Sequence, residues 1–126
     1  MSSSDGLDGE PLLDLQRAVD NLGGSEEAYR EVAQVFLDGL PEGMRELRSA
    51  VIAGDFERGL RELHELASSL GAVGTWRAHR AARAMEMQWR AGAIADAESS
   101  LGRLEEVVLS SVSILRGELE RSSGER

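Results

Sequence analysis

A histidine and a glutamate in this sequence have side chains that could do chemistry together, and their spacing could bring them into contact. His64 lies in the stretch LHELASSLGAVG, residues 63–74, and Glu86 lies in the next stretch, AMEMQW. A turn at residues 74–75 would leave each of them roughly eleven residues from the bend, at the same height on two antiparallel helices. A carboxylate opposite an imidazole can accept its N–H, fix its tautomer and raise the basicity of the other ring nitrogen. Such a pair suits a histidine nucleophile.

The helical neighbours of His64 indicate that a partner can reach the imidazole. At steps of three and four residues, Arg61 lies on one side of His64, and Ser68 and then Gly71 lie on the other. Because Ser68 and Gly71 have small side chains or none, another protein surface could approach His64 closely over them. The alternative is that His64 is an ordinary polar residue on a solvated helix face.

The composition excludes several classes of protein. The chain of 126 residues contains no cysteine, which excludes disulfides and thiolate chemistry, and its net charge of −9 disfavours nucleic acid and acidic membrane surfaces as partners. All 14 basic residues are arginine. No apolar run approaches the ~18 residues of a membrane span, and the N-terminus lacks the pattern of a secretory signal. We therefore expect a cytoplasmic protein.

Apolar residues recur at helical spacing, glycines separate the periodic segments, and no strand-like alternation is present. The pattern predicts a short helix over residues 12–22, then three helices that end near Gly54, Gly74 and Gly92, and a last helix over about 94–119. Ser25, Asp55 and Thr75 are the expected N-caps.

These segments predict an all-α fold, an antiparallel four-helix bundle with a short additional N-terminal helix. Pro41 should kink the second helix or divide it into two. We expect a disordered tail over residues 1–10, the bundle over 11–120 and a C-terminal tail over 121–126. The predicted core includes Phe36, Leu47, Leu60, Leu63, Ala67, Leu101, Leu104 and Val108.

Several features around His64 carry a resemblance to a known family. Leu66 follows His64 by two residues and Gly74 follows it by ten, while LGGSEEAYREVAQVFLDGL and AGDFERGL lie upstream. A small-x-x-apolar-Glu pattern lies downstream, at Ala82, Met85 and Glu86. In these features, over about residues 12–118, the sequence resembles the histidine-containing phosphotransfer (HPt) domains of multistep two-component signalling. That family is a helical bundle with an exposed histidine in an H-x-L-K-G pattern.

The resemblance implies a phosphoryl relay. His64 would take phosphate from the phosphoaspartate of a response-regulator receiver domain, or from a hybrid histidine kinase, and pass it to another receiver. The chain would be a monomeric phosphocarrier without kinase activity of its own, since no nucleotide-binding loop is visible. It would need no cofactor or metal, because the receiver brings Mg²⁺. The implied site has His64 as the phosphoacceptor, supported by Glu86, Arg61, Ser68, Gly71 and Gly74.

Two positions depart from the motif of that family. Ala67 occupies the lysine position and Ser68 the glycine position. In the family the lysine helps to hold the phosphoryl group. Arg61, one turn earlier on the same face, either replaces that charge in part or is an ordinary solvated residue.

The lost lysine leaves alternatives open. One is a degenerate HPt domain that binds a receiver or a kinase without carrying phosphate, and another is an unrelated helical adaptor. A zinc site is disfavoured, because His64 and His79 supply two ligands at most, where zinc sites usually have three or four. We expect His79 to be a partly buried polar residue at the level of Gly71.

Overall fold

A computed structural model describes residues 11–124 of the chain, and these residues form α-helices joined by turns. The helices are α1 (Leu15–Asn21), α2 (Glu26–Ala53), α3 (Phe56–Ala72), α4 (Trp76–Arg90) and α5 (Ala97–Gly124). Each long helix packs on the next, α5 packs back on α2, and α1 packs on α2. Because short turns join these packed neighbours, successive helices run antiparallel. The predicted bundle of four long helices with a short N-terminal helix is confirmed, while the expected 1–10 tail lies outside the described residues.

Side chains cap the starts of three helices. Ser25 before α2 and Asp55 before α3 each accept the backbone N–H three residues on, as predicted. Asp14 does the same for α1, so α1 begins at Leu15 rather than at residue 12. Thr75 precedes α4 as expected, but its hydroxyl makes no cap and donates instead to the Leu70 carbonyl, 2.7 Å away. That bond ties the turn to α3.

Two long helices differ from the sequence-based expectation. α2 is one continuous helix that includes Pro41, so its division into two helices is wrong. Pro41 is exposed, where the helical carbonyl that loses its N–H partner can bond to water. α5 begins at Ala97, after a turn at Gly92, and it extends to Gly124, so residues 121–124 are helical rather than part of a tail. An ion pair between Glu118 and Arg121 spans its last turns.

The core lies between the four long helices and is mostly aliphatic. Seven of the eight predicted core residues are buried, namely Phe36, Leu47, Leu63, Ala67, Leu101, Leu104 and Val108, and Leu60 is only partly buried. The full burial of Leu63 fixes the rotation of α3. It therefore leaves the next residue, His64, on the edge of the buried stripe.

The α3–α4 turn is held from three sides, and this fixes the pairing of the two helices. Gly74 has φ of +85°, and a Cβ there would lie 2.7 Å from the Asp14 carbonyl oxygen, so only glycine fits. The Asp14 N–H donates to the Gly74 carbonyl at 2.9 Å, and the Tyr29 hydroxyl donates to the Val73 carbonyl at 2.6 Å. Gly74 thus acts on the site through the shape of the hairpin.

None of the helices within residues 11–124 has the length and apolarity of a membrane span.

Candidate functional site

His64 lies on the exposed edge of α3 and faces α4. Its Nδ1 is 2.9 Å from Oε2 of Glu86, and the prediction that Glu86 lies within direct reach of His64 is confirmed. The two side chains differ in exposure, 55% for His64 and 6% for Glu86. An ionised carboxylate can only accept a hydrogen bond, so Nδ1 carries the proton and donates it. The lone pair of the ring is then on Nε2, which no residue within 11–124 binds.

Glu86 is a buried carboxylate that accepts from three side chains. Besides His64, Arg83 donates to its Oε1 at 2.9 Å and Arg90 donates to its Oε2 at 2.7 Å. Burial alone would raise the pKa of Glu86, but the hydrogen bonds from Arg90, His64 and Arg83 together outweigh burial and lower that pKa to about 2. Glu86 is therefore ionised throughout the neutral range and holds the imidazole in one tautomer.

The sequence analysis missed two arginines of the site, Arg90 and Arg83, and Arg83 is the one beside the imidazole. Its Nη1, besides donating to Glu86, lies 3.3 Å from Nδ1 of His64, and its Nη2 donates to Oγ of Ser68 at 3.4 Å. Nη1 and Nδ1 are both donors, so they do not hydrogen-bond to each other. They lie close together because both donate to the carboxylate of Glu86. The guanidinium thus spans from α4 to α3 along the imidazole. The signal in the sequence was the spacing of three residues between Arg83 and Glu86, which puts both on one face of α4.

Arg61, which we considered as a replacement for the lost lysine, lies apart from this cluster. Its Nη1 is 4.0 Å from Glu57, one turn nearer the start of α3, and both side chains are exposed. Within the part of the chain that the structure describes, Arg61 forms no ion pair or hydrogen bond with His64. The cation beside the imidazole comes from α4 instead.

His79 occupies the space that the sequence analysis assigned to an open approach over Gly71. A Cβ on Gly71 would lie 2.9 Å from Nδ1 of His79, so the absence of a side chain makes room for that ring. Nδ1 of His79 donates to the carbonyl of Ala67 at 2.7 Å, and the ring packs edge-on against Trp76. His79 is partly buried at the level of Gly71, as predicted. Of the two small residues, Ser68 is the one that stays exposed, and the guanidinium of Arg83 reaches its hydroxyl.

An apolar groove lies beside the site, between α2 and α3. It is lined by Val32, Val35, Phe36, Leu40, Leu66 and Ala72. Glu62, Glu65 and Ser69 of α3 also line it, and the groove residues on α3 lie roughly 80–200° around the helix axis from His64. No cluster of three or more histidine, cysteine, aspartate or glutamate side chains that could hold a metal ion occurs among residues 11–124.

A comparison with known protein families matches residues 31–122 to the Hpt domain, a segment that includes both His64 and Glu86. Comparisons with curated proteins and with solved structures find no match. The family match spans well over half of the chain, from the first turns of α2 into the last turns of α5, and it excludes the alternative of an unrelated helical adaptor. The chain belongs to the Hpt domain family.

Proposed function

We propose that this protein relays phosphoryl groups between receiver domains and that Nε2 of His64 is the phosphoacceptor. Hpt domains are phosphocarriers in relays and not autonomous kinases. The observation that carries the proposal is the 2.9 Å hydrogen bond from Nδ1 of His64 to the ionised Glu86. This bond leaves the lone pair on the other nitrogen of a side chain that is 55% exposed.

The transfer step needs no further group from this chain to move a proton. The Nε2 lone pair attacks the phosphorus of an aspartyl phosphate on the receiver, and a P–N bond forms. The P–O bond to the aspartate breaks, and its electron pair returns to the aspartate carboxylate. Nδ1 keeps its proton, so the imidazole gains positive charge as it takes the phosphoryl group. Glu86 faces that charge and stabilises it.

The receiver supplies the other half of the chemistry in this proposal. It brings Mg²⁺ and most of the charge stabilisation that an in-line phosphoryl transfer requires. The same step in reverse delivers the phosphoryl group from His64 to the aspartate of a second receiver. A hybrid histidine kinase with a receiver domain of its own would donate in the same way.

The groove between α2 and α3 is the surface on which we expect the receiver to rest while it reaches His64. Val35, on its α2 wall, is 73% exposed and offers an apolar contact to a partner. Burial raises the pKa of Glu62, and the nearby charges of Glu65 and Glu46 raise it further. A basic residue on the partner would relieve this repulsion, so a receiver with a basic rim fits best.

Val35→Asp should weaken receiver binding about tenfold, because it places a charge in an apolar contact. A tenfold weaker affinity is a loss of about 1.4 kcal/mol in the free energy of binding. The matched control is Leu109→Asp, which changes net charge equally at a residue 68% exposed on α5, diagonally across the bundle from α3. Titration with an unphosphorylated receiver measures both dissociation constants. Equal losses for the two variants would show that the groove is not the docking surface.

The proposed function is tested by incubating the wild-type protein with phosphorylated receiver domains from the same cell in the presence of Mg²⁺. We expect acid-labile, base-stable phosphate on this chain, because the P–N bond breaks once the ring is protonated. Binding without transfer to this chain would instead support a degenerate Hpt domain, which the alanine at position 67 favours. If no receiver or hybrid kinase of that cell binds this chain or transfers phosphate to it, the relay is refuted.

A further inference from the structure

We propose that Arg83 is the cation that holds the transferring phosphoryl group in this protein, and that Ser68 positions its guanidinium. The inference rests on the proposed relay at His64. It concerns a residue of α4, whereas the five positions that correspond to the H-x-L-K-G pattern, residues 64–68, lie on α3.

The first support is the distribution of charge around the imidazole. Ala67 is fully buried and uncharged, and the guanidinium of Arg61 lies 4.0 Å from Glu57. Arg83, in contrast, has a nitrogen 3.3 Å from Nδ1 of His64, and its side chain is 38% exposed. Its cation is therefore both beside the ring and open to an incoming phosphoryl group.

The second support is the way the Arg83 guanidinium is held. Nη1 is fixed on Oε1 of the buried Glu86 at 2.9 Å, whereas the one bond of Nη2 to a residue within 11–124 is a long one, 3.4 Å, to the exposed Ser68. A guanidinium has five N–H donors in a rigid fork, so it can keep one carboxylate and still offer donors to phosphoryl oxygens. Exchange of the long Ser68 bond would free the Nη2 donors for a phosphoryl group on the ring.

The third support is that this arrangement connects the two departures from the family motif. An alanine at position 67 removes a cation from α3, and a serine at position 68 adds the hydroxyl that accepts from Arg83. A glycine there would offer no side-chain acceptor. The Arg83–Ser68 pair thus places a positive charge at the imidazole from the opposite helix.

The role of Arg83 in the step is electrostatic. As the P–N bond forms and the aspartate or other leaving group departs with its electron pair, the phosphoryl oxygens keep their negative charge beside the ring. The guanidinium donates N–H bonds to these oxygens and transfers no proton itself. Its removal should slow transfer without abolishing it, since the nucleophile and Glu86 remain.

The test uses phosphoramidate, a small donor whose P–N bond breaks to release ammonia, so that receiver docking does not enter the measurement. Arg83→Gln should slow labelling of the full-length protein about tenfold, and Arg83→Lys should recover most of that loss by restoring the charge. The control is Arg61→Gln, which removes an equal charge one turn from His64 and should label as fast as the wild type. Thermal unfolding of each variant confirms that it is folded.

Ser68→Ala tests the positioning role, because it should slow labelling in the wild-type background and change nothing in the Arg83→Gln background. Equal effects of Ser68→Ala in the two backgrounds would overturn that role. Labelling of Arg83→Gln at the wild-type rate, or a tenfold loss in Arg61→Gln instead, would overturn the inference while the relay stands. A wild-type protein that accepts phosphate neither from phosphoramidate nor from any receiver would refute the relay itself.

Discussion

His64→Gln should remove all phosphate labelling of the chain, whereas His79→Gln should retain it. Glutamine is polar and similar in reach, but its amide nitrogen has no available lone pair to attack phosphorus. His79 already donates from Nδ1 to the Ala67 carbonyl, and its ring is partly buried against Trp76. The two histidines thus differ in exposure and in the groups that face them, which is why we expect reaction at one only.

The measurement is the amount of acid-labile phosphate on each variant after incubation with a phosphorylated receiver and Mg²⁺. His79→Gln serves as the control for the loss of one imidazole, and circular dichroism shows whether each variant keeps its helices. Label that persists on His64→Gln and disappears from His79→Gln would place the phosphoacceptor on α4 and contradict the site described above.

The pairing of His64 with Glu86 could be predicted from the sequence because a tight turn between two helices leaves little freedom. Gly74 marks the bend, and residues equally far from a bend lie at equal height when the helices are antiparallel. The burial of Leu63 then determines which way His64 faces. These are consequences of helix geometry and apolar spacing, and both can be read without tertiary information.

The direction of long charged side chains could not be predicted in the same way. Arg61 and Arg83 are both one turn from a residue of the site, but one lies towards Glu57 and the other spans to α3. An arginine has several rotatable bonds, and its position depends on which carboxylates the folded chain brings near it. Only the packing of α3 on α4 shows that Glu86 holds Arg83 beside the imidazole.

Local rules also failed where tertiary contacts or solvent outweighed them. Pro41 does not interrupt α2, because it lies on the exposed face, where water can replace the lost helical bond. Leu60 follows the apolar stripe of α3 and is nevertheless only partly buried, packed against the core rather than within it. Gly71 reads as open surface in the sequence, but the ring of His79, from the next helix, packs over it.

Glu86→Gln should destabilise the protein at neutral pH by an amount that shrinks as the pH falls. The pKa of Glu86 is lowered from 4.5 to about 2 because the hydrogen bonds from Arg90, His64 and Arg83 outweigh the opposing effect of burial. A carboxyl group with a lowered pKa in the folded state contributes stability that is fully present above 4.5 and is lost as the pH falls through about 2. Lowering the pKa of Glu86 from 4.5 to about 2 corresponds to about 3 kcal/mol in the free energy of unfolding.

Urea unfolding of the wild type and of Glu86→Gln, at several pH values from about 6 down to about 3, measures this contribution as the difference between the two proteins. The difference should fall by about 2 kcal/mol over that range, because protonated Glu86 is as neutral as glutamine. Other carboxyl groups titrate in both proteins and cancel in the difference. Glu57→Gln, at a side chain that is 89% exposed on the first turn of α3, is the control for the loss of one carboxylate. If Glu57→Gln and Glu86→Gln changed equally with pH, the buried carboxylate would not be the charge that holds His64, Arg83 and Arg90 together.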